Sequence, residues 1–263
     1  MKLGIIGCGN MAKAILSRIA STPYAETVLC YDVQKTALEN LCRDYDLQPM
    51  DSGAAVAAAA QILILAVKPR FHPAVIEEIR AVLTPAHCVV TLAPGLSLDW
   101  LARSFQIPKL PILRTMPNTP AMVGAGMTAL CPNPFVTQEQ LRWVEGLFQA
   151  CGKTQEVPEY LIPAVVSVSG SAPAYIYLLI EAMADGAVSQ GMPRQQAYDF
   201  AAQAVLGSAK MVLETKMHPG ALKDQVCSPG GTTIAAVAAL EEAGFRSALL
   251  KAMAVCGEKA REA

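Results

Sequence analysis

Short apolar runs alternate with amphipathic stretches through the first half of the chain. The runs lie at 3–6, 28–31, 62–67, 88–92 and 110–114, and the amphipathic stretches at 11–20, 34–45, 52–60, 73–82 and 98–104. Brief, near-continuous apolar runs suit strands buried on both faces. Apolar residues recurring every three or four positions suit helices with one buried face. Strands parted by such helices predict a parallel, doubly wound sheet. A helix over 137–151 and a strand over 154–157 close this half.

From Glu159 the pattern changes, and no strand is expected beyond it. A long helix is predicted over 159–190. The stretch "GMPRQQA" breaks it, with Gly191 closing one helix and Pro193 opening the next, which runs to about 214. A short helix follows "KMHPG", then a loop, then two helices separated by Gly244. The expected fold is therefore α/β: a Rossmann-type doubly wound parallel sheet over residues 1–157, followed by an all-helical domain over 158–263.

The segment "GIIGCGNMAKAI" places Gly7, Gly9 and Ala12 as G-x-G-x-x-A directly after a strand and at the opening of a helix. Gly7 permits the tight turn, Gly9 lets a pyrophosphate approach the backbone, and Ala12 lets helix and strand pack closely. Free N–H groups at the helix start attract phosphate. Asp32 ends the second strand, where an acidic residue bonds the adenosine ribose and favours NAD; the same side chain could instead cap the next helix. Lys35 is near enough to offset a 2′-phosphate. The stretches "AVKPR", "LAPGLS" and "MPNTP" end the third, fourth and fifth strands, where the ligand crevice of such folds lies. Lys68 offers either a catalytic ammonium or, as preferred here, backbone that lines the crevice.

A second feature stands far from the glycine motif. In "DQVCSPGGTTIAAV", Ser228, Gly230, Gly231, Thr232 and Thr233 crowd the start of a helix. A plain cap uses one hydroxyl. The surplus points to an anion held by unpaired N–H groups, the partial positive charge of the helix start, and hydroxyl donors. The plainer alternative is a start that simply caps the helix.

Composition narrows the possibilities. Hydrophobic residues make up 53% of the 263 positions and mean hydropathy is +0.34, which implies a large core or a sizeable subunit interface. A membrane span needs about 20 uninterrupted apolar residues. The stretch 53–67 is broken by Gln61, and 164–184 carries Ser167, Ser169, Ser171, Pro173 and Glu181, so both are expected as core elements and no membrane partner is expected. A formal net charge of -1 without a basic block argues against nucleic acid. The eight cysteines show no CxxC and read as reduced thiols of a cytoplasmic protein. The chain opens on a strand-like segment, and no secretory leader is expected. His72, His87 and His218 lack metal-ligand spacing, and no metal is expected.

Taken together, "GCGNMAKAI", "AVKPR", "MPNTP", "SVSGSAPAY" and "HPGALKDQVCSPGGTTIAAVAALEEAGFR" resemble pyrroline-5-carboxylate reductases over nearly the whole chain. The stretch Ser228 to Thr233 is the most specific part of that resemblance. It implies the last step of proline biosynthesis, hydride transfer from NADPH or NADH to 1-pyrroline-5-carboxylate. By resemblance, Gly7, Gly9, Asn10 and Met11 cradle the dinucleotide phosphates. Ala66, Val67, Lys68 and Pro69, then Ala93, Pro94 and Gly95, and then Asn118 and Thr119 lie along the nicotinamide half. Ser228, Gly230, Gly231, Thr232 and Thr233 hold the substrate. Family members more often use NADPH, and many show Ser, Thr or Asn where this chain has Asp32. The resemblance also implies a helical dimerisation domain, a homodimer with the substrate site near its seam, and in some members larger rings.

The chemistry asks for few groups. A protonated cyclic imine is already an electrophile, so hydride transfer needs positioning more than acid–base help. Thr233, or its neighbour Thr232, is the candidate to reach the ring nitrogen. Glu181 and Asp185 share a helix face and are expected to be partly exposed or interfacial. Ser169, Gly170 and Ser171 are expected to permit close helix packing, with Pro173 kinking the helix. A β-hydroxyacid dehydrogenase is one rival, but it needs a base to oxidise an alcohol, and no Lys occurs between Lys153 and Lys210. The other rival is a non-catalytic NAD(P)H-binding regulator, for which the substrate-type loop would be surplus.

Overall fold

The computed structural model describes residues 1–45 and 47–262, apart from the side chains of Glu26 and Thr27; Ala263, the end of the expected helical domain, lies outside the described residues. The chain divides into two compact units: Met1–Ser171 together with the chain from Cys256 onward, and Ala172–Val255.

In the first unit, strands alternate with helices in the expected order except at β3 and β7. They are β1 (Leu3–Ile6), α1 (Asn10–Ile19), β2 (Val28–Tyr31), α2 (Lys35–Tyr45), β3 (Gln48–Pro49), α3 (Gly53–Ala59), β4 (Ile62–Leu65) and α4 (His72–Ile79). There follow β5 (Cys88–Thr91), α5 (Leu98–Phe105), β6 (Ile112–Met116), β7 (Gly126–Pro132), α6 (Gln138–Gln149) and β8 (Gly152–Glu156). The strands form one sheet ordered β3-β2-β1-β4-β5-β6-β7-β8. β1, β4 and β5 are buried at every position, which is why they read as unbroken apolar runs. Ile15, Leu41, Leu147 and Phe148 belong to one core cluster, and Val56, Ile76, Leu101 and Phe105 to another.

Two strands escape the sequence pattern. β3 is two exposed residues, too short to show a period. β7 runs antiparallel to β6 and parallel to β8, so the sheet is mostly rather than wholly parallel. Its near-continuous burial hides the alternation that marks a strand.

The long helix expected over 159–190 is interrupted. A 3-10 turn (Glu159–Leu161) leads into α7 (Ile162–Val165), a π turn (Val166–Gly170) and then α8 (Ala172–Ser189). The Ser171 N–H donates to the Val166 carbonyl at 2.8 Å, the i to i−5 bond of a π turn. Pro173 falls in the first turn of α8, where a missing N–H costs nothing. The irregularity therefore belongs to the π turn and not to a proline kink. Small residues do allow close approach here. A Cβ at Gly257 would lie 3.1 Å from Ser167 Oγ, and Cys256 Sγ donates to Ser171 Oγ at 3.2 Å.

The second unit continues from α8 through α9 (Arg194–Thr215), α10 (Pro219–Val226) and α11 (Thr232–Glu242) into α12 (Phe245–Glu262), whose last turns join the first unit. Its apolar side chains are largely uncovered in the single chain: Tyr177, Leu178, Phe200 and Leu250 are each more than 60% exposed. Only Ala184 of α8 is buried, so this helix is not the core element its composition predicts. The stretch Glu159–Ser189 is long and apolar enough to cross a membrane by length and composition.

Candidate active site

The G-x-G-x-x-A loop sits at the carboxyl end of β1. Gly7 adopts φ +102° and donates its N–H to the Tyr31 carbonyl at 2.9 Å. A Cβ there would come within 2.9 Å of the Ala66 and Val67 backbone, so both the turn and the close approach of β4 require glycine. Gly9 is the N-cap of α1, without a side-chain cap, and a Cβ on it would meet nothing within 4 Å. Asn10 and Met11 form the first turn of α1. The loop thus offers open space above bare N–H groups, which fits a pyrophosphate. Ala12 is buried beneath it.

Asp32 follows β2. One carboxylate oxygen accepts the Cys8 N–H at 2.7 Å and the other the Gln34 N–H at 2.8 Å. The side chain therefore reaches the phosphate loop and also clips the start of the next helix.

The remaining crevice candidates line up along the sheet. Ala66, Val67 and Lys68 follow β4, with Pro69 opening a 3-10 turn. Ala93, Pro94 and Gly95 follow β5, and Asn118 and Thr119 follow β6. Because β2, β1, β4, β5 and β6 are neighbouring parallel strands, these loops share one edge of the sheet, the ligand edge of such folds. The Lys68 side chain is exposed, while its carbonyl accepts the Phe71 N–H at 2.9 Å. The side chain thus reaches solvent, as the sequence leads one to expect. Asn118 is tied inward: it accepts the Met127 N–H at 2.9 Å and donates to Ser169 at the π turn.

The hydroxyl-rich loop belongs to the second unit. α11 begins on Gly231 with no side-chain cap, although Ser228, Thr232 and Thr233 all lie within reach in sequence. By contrast α3, α5 and α6 are capped by Ser52, Ser97 and Thr137. The plain capping alternative therefore fails. Gly230 takes φ +68°, and the Gly231 N–H donates to the Ser228 carbonyl at 3.0 Å. A Cβ at Gly231 would collide with Ser228 Oγ, so glycine makes room for that hydroxyl at the mouth of the helix. Ser228 and Thr232 are exposed and Thr233 is half-buried.

Asp185 pairs with Arg194 at 2.5 Å, and Glu181 is exposed, as expected for helix-face carboxylates. Among the described residues no cluster of histidine, cysteine, aspartate or glutamate is suited to a metal. Sequence reading missed the buried polar residues behind the crevice. His72 and Thr91 are fully buried, and Arg114 is 8% exposed and pairs with Glu159 at 2.8 Å. A histidine on an otherwise apolar helix face and an arginine inside an apolar strand run are the signals the sequence offers.

Residues 159–263 match the pyrroline-5-carboxylate reductase dimerisation family, and residues 2–95 match the family described as NADP oxidoreductase coenzyme F420-dependent. The chain is 49% identical to pyrroline-5-carboxylate reductase of Escherichia coli, over 99% of this chain and 97% of that one. It is similar to the solved pyrroline-5-carboxylate reductase of Coxiella burnetii at a TM-score of 0.92 and 32% identity, covering 99% and 97% of the two chains. The Plasmodium falciparum pyrroline carboxylate reductase, solved with NADP bound, matches at a TM-score of 0.89 and 29% identity over 100% and 97%.

Proposed function

The chain belongs to the pyrroline-5-carboxylate reductase family, and from that premise we propose that it reduces 1-pyrroline-5-carboxylate to L-proline, the last step of proline biosynthesis, with hydride from NADPH or NADH. The observation that carries the reading is the start of α11. Three hydroxyls and a run of bare N–H groups gather there, and none of the hydroxyls is spent on capping. Such a start binds a small carboxylate without lysine or arginine.

Thr232 and Thr233 N–H groups, with the Ser228 hydroxyl, hold the substrate carboxylate, and Gly230 and Gly231 keep the approach clear. Thr233 Oγ1 reaches the ring nitrogen and holds its proton, which leaves the C=N carbon electron-poor. In the first unit, Gly7, Gly9, Asn10 and Met11 bind the pyrophosphate. The backbone from Ala66 to Pro69, from Ala93 to Gly95, and at Asn118 and Thr119 supports the nicotinamide half. When bound, the reduced dinucleotide supplies the hydride. Asp32 places a fixed carboxylate beside the phosphate loop, which favours the ribose hydroxyls of NADH over a 2′-phosphate.

The uncovered apolar surface of the helical unit supports self-association. An open cavity of about 760 Å³ between α10, α11 and α12, lined by Leu240, Phe245, Leu249 and Leu250, is read as part of the face that a second copy covers in a homodimer. The helical substrate and dimerisation domain is assigned to 158–263, and the enzyme to the cytoplasm. The test is loss of nicotinamide absorbance with racemic 1-pyrroline-5-carboxylate and each cofactor. Oxidation with proline as product is expected. Tight cofactor binding without oxidation would overturn the reading in favour of a regulator.

A further inference from the structure

Behind the crevice loops lies a buried polar chain that hydride transfer leaves unused. His72, in the first turn of α4, is fully buried. Its Nε2 lies 3.1 Å from Thr91 Oγ1, and its Nδ1 3.3 Å from the Lys68 carbonyl. The Ala93 N–H donates to Thr91 Oγ1 at 3.2 Å, and the Thr115 hydroxyl donates to the Thr91 carbonyl at 3.0 Å.

The proton positions follow from the partners. A carbonyl only accepts, so Nδ1 carries the hydrogen and Nε2 accepts the Thr91 hydroxyl proton. Thr91 Oγ1 is then free to accept from Ala93. Donors and acceptors run in one direction, from Ala93 through Thr91 and His72 to Lys68, with the imidazole neutral. Burial, which pushes the His72 pKa below its ordinary value, works the same way. A buried polar chain costs free energy unless every member is satisfied, and when complete it fixes one arrangement. An aliphatic side chain would fill the volume without that cost. This chain joins the loops after β4 and β5, the two that the proposed function assigns to the nicotinamide half.

We propose that His72 is a positioning residue for hydride transfer: its ring fixes the spacing between the Lys68 and Ala93 peptides and so sets where the nicotinamide rests. The inference depends on reading the sheet edge as the cofactor crevice. His72 touches neither cofactor nor substrate in this account.

The test separates the two halves of the cofactor. His72→Phe keeps ring volume and removes both hydrogen bonds. Dissociation constants are measured for ADP-ribose, which lacks nicotinamide, and for NADH and NADPH, together with kcat. ADP-ribose is expected to bind the variant within about twofold of wild type. The reduced cofactors are expected to bind about tenfold more weakly, the scale of one lost buried hydrogen bond, and kcat is expected to fall. Equal losses for both ligand types, or no loss for either, would overturn the inference and leave the crevice reading intact. Wild-type protein that binds none of these ligands would overturn both. Should His72→Phe fail to fold, Thr91→Val removes the hydroxyl linking His72 to Ala93 without changing shape, and the same pattern is expected and the same results overturn it.

Discussion

Asp32 accepts the Cys8 N–H at 2.7 Å and so ties the end of β2 to the glycine loop that follows β1. Its second oxygen is held by Gln34 at 2.8 Å, so the charge cannot swing away from an incoming phosphate. In Asp32→Asn, one of the two N–H groups loses its acceptor, and the negative charge is gone. NADH should bind several-fold more weakly, while the affinity of NADPH relative to NADH should rise about tenfold, since a 2′-phosphate no longer faces a fixed carboxylate. Titration of dihydronicotinamide fluorescence checks both. An unchanged ratio would leave Asp32 as a clip with no part in cofactor choice.

Thr233→Ala should lower kcat by roughly ten- to a hundredfold, the range for losing one hydrogen bond to a charged group, with the dissociation constant for cofactor changed less than twofold. The hydroxyl is not used to cap α11, so helix stability should stay close to wild type. Steady-state kinetics beside cofactor titration give the comparison, and parallel losses in both would count against a substrate role.

His72 makes stability depend on pH. Burial pushes its pKa below the ordinary 6.5, the Lys68 carbonyl opposing in part. Below 6.5 the unfolded chain therefore binds more protons than the folded protein, so the stabilisation is present above that pH and is lost as pH falls. Thermal melts should show the Tm of wild type falling more steeply between about pH 7 and 5 than that of His72→Gln, which carries no titrating ring. Parallel curves would show that the ring titrates alike in both states.

Arg114 and Glu159 differ in what their loss leaves behind. The Arg114 side chain is 9% exposed and that of Glu159 32%, and the Leu98 N–H also donates to Glu159 at 2.7 Å. Glu159→Leu strands a nearly buried guanidinium and an N–H group, and should cost about 3 kcal/mol. Arg114→Met leaves a carboxylate that still reaches water and Leu98, and should cost about 1 kcal/mol. Urea unfolding gives both values, and equal costs would mean that the exposed partner matters as much as the buried one.

The parts legible in the sequence are those whose chemistry is local. β1, β2 and β4 announce themselves because buried strands leave apolar runs, and the glycine loop because a tight turn and a phosphate each demand a missing Cβ. The bare start of α11 is readable as too many hydroxyls for one cap. What stays hidden depends on partners distant in sequence. Nothing near His72 foretells Thr91, and nothing near Asn118 foretells Ser169, 51 residues away. The π turn shows itself only in the bond from the Ser171 N–H to the Val166 carbonyl, and Pro173 draws the eye to the wrong residue. The exposed apolar face of α8 reads as core because composition alone does not say which apolar faces the chain itself covers.

The most direct test follows the hydride itself. The enzyme would be supplied with 1-pyrroline-5-carboxylate and NADH or NADPH deuterated at the transferable C4 position, and the product examined by mass spectrometry and NMR. The expected result is L-proline carrying a single deuterium at C5, the former imine carbon. Proline without deuterium, or no proline while cofactor binds tightly, would contradict the account.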